Sequence, residues 1–228
     1  MKKKFIDSGI IDHYSITDDL NLINNINEDE VLIRFWQLDA VILGKLDTLL
    51  PQFEKAKNYL RKLNYKIEIR KQGGLAIVSD LDNLNISFIF KAQSFKDLHK
   101  PYRCVANYIA SSLCKLGLHV DIKSINESYC PGDYDLSING LKIAGIAQYR
   151  NREAIIVSVN LFVKGDQDKR STLLKDFYNI AEARHSLKQS YPEIDINCMS
   201  TLSDVLVKEV SIDVVKEVLS DPNLHICE

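Results

Sequence analysis

The residues best suited to covalent chemistry lie in one short segment, residues 128–138 with the sequence SYCPGDYDLSI, followed by Lys142. Cys130 stands directly before a Pro-Gly pair, which favours a turn, and turns on a rigid scaffold often carry reactive groups. A thiolate is the nucleophilic form of cysteine, and a nearby ammonium group stabilises it by charge attraction. Cys130 and Lys142 therefore predict acyl transfer through a thioester. The competing interpretation is an inert cysteine that packs as a small hydrophobic residue.

Charge, cysteine usage and hydropathy narrow the class of protein. The 228 residues hold 29 Lys and Arg against 31 Asp and Glu, so no strong field attracts nucleic acid or an anionic membrane. The five cysteines include no CxxC pair and the five histidines have no ligand spacing, which disfavours a disulfide framework or a metal site. No apolar stretch reaches the ~18 residues of a membrane span. We therefore expect a cytoplasmic protein without a metal, nucleic-acid or membrane partner.

The apolar spacing of the first half predicts the elements that precede the cysteine. In chain order they are strands at 31–36 and 41–44, a helix at 51–63, and strands at 65–69, 75–78 and 84–90. The last two strands are separated by only a short polar turn, so we expect them to pair as a hairpin.

The second half places Cys130 between a helix and a run of strands. The predicted elements are a helix at 101–116, a strand beginning at 120–122, strands on both sides of Asn139-Gly140, a strand at 155–163, and helices at 171–189 and 211–220. Asn-Gly is a typical hairpin turn, Gly117 stops the first of these helices, and Ser211 caps the last one. Cys104, Cys114 and Cys198 are expected in the core and Cys227 at a frayed end.

Hairpin-linked strands with helices between and after them predict an α+β fold rather than a doubly wound parallel sheet. We expect a mixed, mostly antiparallel sheet flanked by helices. Residues 1–30 are rich in Asn and Asp and are interpreted as an N-terminal segment before the ordered core. Residues 31–228 would form a single catalytic domain, with the helices at about 171–220 packed on it.

Three further sequence patterns occur in a characteristic order. They are RKQGGLAI at residues 70–77 followed by LNIS at 84–87, GDYDL at 132–136, and NGLKIAGIAQ at 139–148. Together these resemble the superfamily of lipoate-protein ligases, octanoyltransferases and biotin-protein ligases. The cysteine before Pro-Gly is similar to that of its amidotransferase branch, the octanoyl-[glycine cleavage H protein]:protein N-octanoyltransferases. The chain departs from the pattern at Asp82 and Asn83, where a glycine is common, and at Leu141, where a second lysine is common.

The resemblance implies roles for individual residues. Cys130 would be the nucleophile, and Lys142 would stabilise its thiolate and polarise the acyl carbonyl. The residues implied in substrate binding are Arg70, Gly73, Gly74, Leu75, Asn85, Gly145 and Ala147. An apolar slot is also required for the acyl chain, with Leu75, Ile77, Ile143 and Ile146 as its expected lining. At about 0.8 kcal/mol per buried methylene, a C8 chain contributes about 5 kcal/mol of binding before entropy losses.

The implied reaction is an exchange of amides. Cys130 takes an octanoyl or lipoyl group from a lysine of glycine cleavage H protein and passes it to a lysine of the lipoyl domains of 2-oxoacid dehydrogenases. Lys142 or an ordered water would protonate the leaving amine. No cofactor and no ATP are expected, because one amide replaces another.

Three other functions remain open from the sequence. An ATP-dependent lipoate-protein ligase would use Lys142 and Arg70 to neutralise phosphate, with Cys130 incidental. An acyl-carrier-protein-dependent octanoyltransferase would also use the cysteine. A non-catalytic module that binds acyl groups or carrier domains would tolerate the replacement of Cys130 by Ala or Ser.

Overall fold

The computed structural model describes residues 1–187 and 189–227. The strands in this part of the chain are β1 (Lys2–Ile10), β2 (Glu30–Gln37), β3 (Ala40–Leu43), β4 (Ile67–Ile69), β5 (Ile77–Ser79), β6 (Asn83–Lys91), β7 (Asp121–Ile122), β8 (Leu136–Ile138), β9 (Leu141–Arg150) and β10 (Ala154–Phe162). The α-helices are α1 (Ile16–Asn21), α2 (Phe53–Lys62), α3 (Lys100–Leu113), α4 (Gln167–Ile180), α5 (Leu202–Leu206) and α6 (Ile212–Leu219).

The strands form two sheets. The main sheet has seven strands in the order β1-β2-β6-β10-β9-β8-β7, and all its pairings are antiparallel except that of β1 with β2. The second sheet has three strands in the order β4-β3-β5. This architecture confirms the predicted α+β fold with a mixed, mostly antiparallel sheet flanked by helices.

Other elements cover both faces of the main sheet, so the central strands β6 and β10 are buried on both sides. On one face, α3 and α6 pack over the alternating residues Ile155, Val157, Val159 and Leu161 of β10. On the other face, α1 covers one end, while the second sheet with α2 and α4 covers the region around Trp36 and Phe162. Strands that are buried on both faces consist mainly of apolar residues. Polar residues on the second face of these strands therefore indicate a binding or catalytic site there.

Local sequence chemistry explains several predicted boundaries. Asn139 and Gly140 have φ values of 52° and 82°, the two left-handed residues that a tight hairpin turn between β8 and β9 requires. Gly117 (φ 79°) ends the turn that follows α3. The Ser211 hydroxyl accepts a hydrogen bond from Val214 N–H at 3.3 Å and so caps α6.

Two expectations about the strands are wrong. The strands predicted at 75–78 and 84–90 exist as β5 and β6, but they do not pair, because β5 joins β3 in the second sheet and β6 lies between β2 and β10. The ordered core also begins before residue 30, since β1 pairs with β2 along the edge of the main sheet. An edge strand buries few side chains, so Lys2–Ile10 lacks the apolar alternation that reveals β10.

The four cysteines outside the predicted active site differ in exposure. Cys104, Cys198 and Cys227 are half-buried, whereas Cys114 is exposed, so the prediction that Cys114 lies in the core is wrong. It stands in the short 3-10 turn that follows α3. No helix in the described ranges is both long enough and apolar enough to cross a bilayer.

Candidate active site

A cleft opens between the main sheet and the second sheet. The empty space of the cleft, including the part open to solvent, is about 540 Å³. The floor is formed by β2, β6, β10 and β9, and Ile42 and Ile77 of the second sheet form part of the roof. Cys130 and Lys142 both line it, so the fold brings the two predicted catalytic residues to one cavity.

Cys130 has an unusual backbone conformation. Its φ is 49°, in the left-handed region that non-glycine residues rarely adopt and that recurs at functional turns. The Sγ atom accepts a hydrogen bond from Leu75 N–H at 3.1 Å and lies 3.4 Å from the Arg70 guanidinium Nη2. A backbone donor and a cation thus both contact the sulfur.

Lys142 contacts the backbone of the cysteine turn. Its Nζ donates to the carbonyl oxygens of Tyr129 at 3.1 Å and Cys130 at 2.8 Å, and to Ser128 Oγ at 3.2 Å. It also lies 3.0 Å from Asp135 Oδ2, with both side chains 1% exposed. The cation found against the sulfur is therefore Arg70, while Lys142 binds the carbonyls of the turn. Its expected effect on the thiolate stays a prediction.

Asp135 balances the charge of Lys142 inside the protein. Its Oδ2 also accepts a hydrogen bond from Gly132 N–H at 3.1 Å, so one carboxylate joins the start of the turn to the lysine. Burial raises the pKa of Asp135, and the neighbouring Lys142 opposes that rise. The sequence analysis did not predict the ion pair of Asp135 with Lys142.

Position 74 requires a glycine, both because of its backbone conformation and because of its close neighbours. Its φ is 95°, and a Cβ there would lie 2.9 Å from Cys130 Sγ and 2.7 Å from Arg70 Nη2. Gly44 packs so tightly against the Gly74 carbonyl that a Cβ on Gly44 would overlap it. Gly73, by contrast, is exposed with nothing within 4 Å of an added Cβ, and it does not line the cleft.

We expect Gly74→Ala to reduce the reactivity of Cys130 by at least about tenfold, because the new methyl group displaces Arg70 or the sulfur and strains the loop. Gly73→Ala is the matched control, since its φ lies outside the left-handed region and its surroundings are open. The rate of iodoacetamide alkylation at Cys130, followed by mass spectrometry of the peptide, measures the effect. Equal rates in the two variants would contradict the arrangement described.

Polar side chains line a cleft that is otherwise apolar. Trp36, Asn85, Asn160 and Gly145 stand side by side on β2, β6, β10 and β9. Asn160 Nδ2 donates to Asn85 Oδ1 at 2.9 Å, and Asn85 donates to Ser79 Oγ. Among the described residues, three buried lining atoms have no hydrogen-bond partner: Arg70 Nε, Gln72 Oε1 and Asn160 Oδ1.

The structure brings together most of the residues predicted for substrate binding. Arg70, Asn85, Gly145 and Ala147 line the cleft, while Gly74 and Leu75 contact Cys130. Of the residues expected to form the slot, Ile77 and Ile146 line the cleft, whereas Ile143 packs in the core with α3. The lining residues that the sequence analysis missed are Tyr14, Trp36, Ile42, Gln72, Tyr129, Ser158, Val159, Asn160 and Phe162.

A sequence signal for part of this lining was available. Ser158 and Asn160 alternate with Val157, Val159 and Leu161 in a strand that is otherwise apolar, which indicates a polar position on a buried face. Tyr14 had no such signal, because it belongs to the polar N-terminal region. In the fold its ring stacks on Trp36 with centroids 4.4 Å apart, and its hydroxyl donates to buried Asp19 at 3.0 Å.

Asp47 is a fully buried carboxylate behind the cysteine site. Burial raises its pKa to about 6, although hydrogen bonds from Gly44 N–H and Tyr178 and the charge of Arg70 oppose the rise. The folded protein therefore holds the Asp47 proton more tightly than the unfolded chain, whose aspartate pKa is about 3.9. At about 1.4 kcal/mol for each tenfold change in proton affinity, ionised Asp47 costs the fold about 3 kcal/mol.

The free energy of unfolding should consequently contain an Asp47 contribution that falls as pH rises from about 4 to about 6 and then stays level. Below pH 4 the group is protonated in both states and the cost disappears. Urea denaturation of the wild type and of Asp47→Asn at several pH values measures the difference, which cancels the titration of all other groups. A difference that does not change with pH would contradict the raised pKa.

No three His, Cys, Asp or Glu side chains of residues 1–187 and 189–227 form a cluster suited to a metal ion. The groups in the cleft that could take part in chemistry are the Cys130 thiol and the Arg70 and Lys142 cations, and most of the remaining lining is apolar.

Known proteins are similar to this chain over most of its length. A family model described as the lipoyl protein ligase A/B catalytic domain matches residues 14–222. The octanoyl-[GcvH]:protein N-octanoyltransferase of Geobacillus kaustophilus is 36% identical over 202 residues, covering 88% of this chain and 71% of that protein. The lipoyl-[GcvH]:protein N-lipoyltransferase of Listeria monocytogenes is 34% identical over 183 residues, covering 79% of this chain and 66% of that protein.

Solved structures share the architecture. A lipoate-protein ligase A bound with ATP superposes with a TM-score of 0.68 at 20% identity, covering 96% of this chain and 81% of that one. A bipartite lipoate protein ligase from Thermoplasma acidophilum gives a TM-score of 0.66 at 23% identity, with 96% and 81% coverage. At these identities the likeness concerns the fold alone, and it places both sheets in one known catalytic-domain architecture.

Proposed function

Because the chain belongs to the lipoyl protein ligase A/B catalytic-domain family, as its motifs predicted, we propose that it is a protein N-octanoyltransferase of the amidotransferase type. It moves an octanoyl group from a lysine of glycine cleavage H protein to a lysine of the lipoyl domains of 2-oxoacid dehydrogenases. The observation that carries the proposal is the Cys130 sulfur, which contacts Leu75 N–H and Arg70 and lines a largely apolar cleft. Relatives named for this reaction support the choice of donor.

In the first half-reaction, the Cys130 thiolate attacks the carbonyl carbon of the octanoyl-lysine amide. A C–S bond forms, the C–N bond breaks, and the leaving lysine amine takes up one proton. In the second half-reaction, the amine of the acceptor lysine attacks the thioester. A C–N bond forms, the C–S bond breaks, the thiolate returns and one proton is released. One amide replaces another, so the exchange needs no ATP.

The carbonyl oxygen becomes negative during each attack and needs donors that are already in place. Arg70 suits this role, because its Nη2 is engaged by Leu75 O at 2.7 Å and by the sulfur, while its buried Nε has no partner among the described residues. One such donor is worth roughly 3 kcal/mol in the barrier. Lys142 contributes its charge and holds the two carbonyls of the turn, which keeps Cys130 in its left-handed conformation.

The acyl chain occupies the cleft along the direction that crosses the strands. From Gly145 on β9 to Trp36 on β2 there are three strand spacings, or about 14 Å. An octanoyl chain of seven C–C bonds, each about 1.5 Å long, spans about 9 Å as a zigzag. The row of strands from Gly145 to Trp36 is therefore longer than an extended octanoyl chain.

Intact mass spectrometry tests the proposal. The protein is mixed without ATP with H protein carrying octanoyl-lysine, and in a parallel sample with H protein carrying lipoyl-lysine. We expect an adduct of one acyl unit that hydroxylamine removes, followed by transfer to an added lipoyl domain. Acylation that requires free octanoate or lipoate and ATP would identify a ligase instead. Acylation from octanoyl-acyl carrier protein but not from H protein would identify the other octanoyltransferase type.

A further inference from the structure

Asp47 and Tyr178 lie behind the cysteine site, and neither lines the acyl cleft. Asp47 follows β3 and is fully buried, and Tyr178 is buried near the end of α4. The Tyr178 hydroxyl donates to Asp47 Oδ1 at 3.1 Å. The two residues are 131 positions apart in the chain, so this contact joins the second sheet to the C-terminal half.

Tyr178 connects this pair to the loop that contacts the sulfur. Its hydroxyl oxygen accepts a hydrogen bond from Ala76 N–H at 2.9 Å. Ala76 is the neighbour of Leu75, whose own N–H donates to Cys130 Sγ. The two N–H groups belong to consecutive peptide units that meet at the Leu75 Cα, so anchoring Ala76 N–H limits the positions open to Leu75 N–H.

Asp47 reaches the same loop by a second route. Its Oδ2 accepts a hydrogen bond from Gly44 N–H at 2.8 Å, and Gly44 packs directly on the carbonyl of Gly74. The loop at residues 74–76 is thus held on one side by Gly44 and on the other by Tyr178. A single carboxylate fixes both supports.

We propose that Asp47 and Tyr178 are positioning residues, which orient the loop at residues 74–76 so that Leu75 N–H and Arg70 meet the Cys130 sulfur. The inference rests on the proposed function for its importance to acyl transfer, but the contacts themselves concern only the thiol. Both residues act through the loop, and neither touches the reacting atoms. Removing either one should make the sulfur less reactive without changing how the acyl chain binds.

The first test is the reactivity of the thiol. In Tyr178→Phe the hydroxyl is lost, and we expect the rate of Cys130 alkylation by iodoacetamide at pH 7 to fall about tenfold, with its pH profile moved to higher pH. Tyr59→Phe is the matched control, because Tyr59 also donates to a carboxylate of α4, Asp176 at 3.1 Å, but has no contact with the loop. The other ionisable groups near the cysteine turn, Arg70, Lys142, Asp135, Tyr102 and Tyr129, are the same in both variants.

The second test separates positioning from general stability. Asp47→Asn should reproduce the Tyr178→Phe effect, and the double variant should be no slower than the slower single variant, because both act through one loop. With octanoyl-H protein, we expect kcat to fall about tenfold in each variant and KM to remain within about twofold.

An alkylation profile in Tyr178→Phe and Asp47→Asn that coincides with that of Tyr59→Phe would overturn the inference, even if the melting temperature drops. Independent, multiplying effects of the two substitutions would overturn it as well. If the wild type transfers no acyl group but the alkylation profiles shift as expected, the proposed function fails and the positioning role stands.

Discussion

Cys130→Ala is expected to abolish octanoyl transfer and the acyl adduct, with a loss of at least about 10⁴-fold in the rate. The magnitude follows from removal of the nucleophile, since what remains of the site can only bind and orient the two carrier lysines. Cys130→Ser should also lose the adduct that hydroxylamine removes quickly, because a serine hydroxyl does not ionise near neutral pH. The measurement is single-turnover transfer from octanoyl-H protein, followed by intact mass.

Cys114→Ala is the control for this prediction, because Cys114 is exposed and stands in the turn after α3, away from the cleft. It should retain the wild-type adduct and rate. Both cysteine variants should keep the wild-type melting curve within a few degrees. Transfer that survives in Cys130→Ala would show that the thioester does not form, and would favour a ligase or a binding module.

The second large effect is expected for Lys142→Met. The variant leaves Asp135 buried without its cation and removes the donor from the carbonyls of Tyr129 and Cys130. Breaking a buried ion pair from one side costs about 3 kcal/mol or more in the free energy of unfolding. We also expect the rate of acyl transfer to fall by at least about a hundredfold. The lysine no longer holds the cysteine turn, and a positive charge is lost near the carbonyl of the substrate.

A double variant separates the two consequences. Adding Asp135→Asn to Lys142→Met removes the uncompensated charge, so it should recover a large part of the lost stability in urea denaturation. It should not recover transfer, because the lysine charge and its hydrogen bonds to the turn remain absent. If the double variant transfers octanoyl at the wild-type rate, the lysine serves only to neutralise Asp135.

The groups that surround the Cys130 sulfur come from loops that are far apart in the sequence. The left-handed Cys130 and the glycine at position 74 are local features of two loops. Arg70 and Leu75 belong to the loop between β4 and β5 of the second sheet, and the sulfur belongs to the loop between β7 and β8 of the main sheet. The packing of the two sheets therefore sets their separation. The stored backbone strain at Cys130 is balanced by Lys142, Asp135 and the hydrogen bonds of the turn.

The local patterns were sufficient for much of the fold. Alternation in β10, the Asn139-Gly140 turn, and the helices α3 and α6 were predicted, because turn chemistry and one-sided burial are visible within a few residues. The same holds for Cys130 before Pro-Gly and for the motifs that indicated the family. The helix predicted at 171–189 is confirmed only in part, since α4 begins at Gln167 and ends at Ile180. Strand β1 was missed, because this edge strand contains three lysines and does not show the alternation of apolar residues that reveals a buried strand.

The amino-acid sequence by itself therefore determined the class of fold, the family and the thiol that we propose as the nucleophile. Only the tertiary structure decided that Arg70 rather than Lys142 contacts the sulfur, that Asp47 and Tyr178 stand behind its loop, and that β5 leaves β6 for another sheet. The physical reason is distance along the chain: Leu75 and Cys130 are 55 residues apart, and Asp47 and Tyr178 are 131 apart. Contacts of that kind are fixed by how whole sheets and helices pack, which no local spacing records.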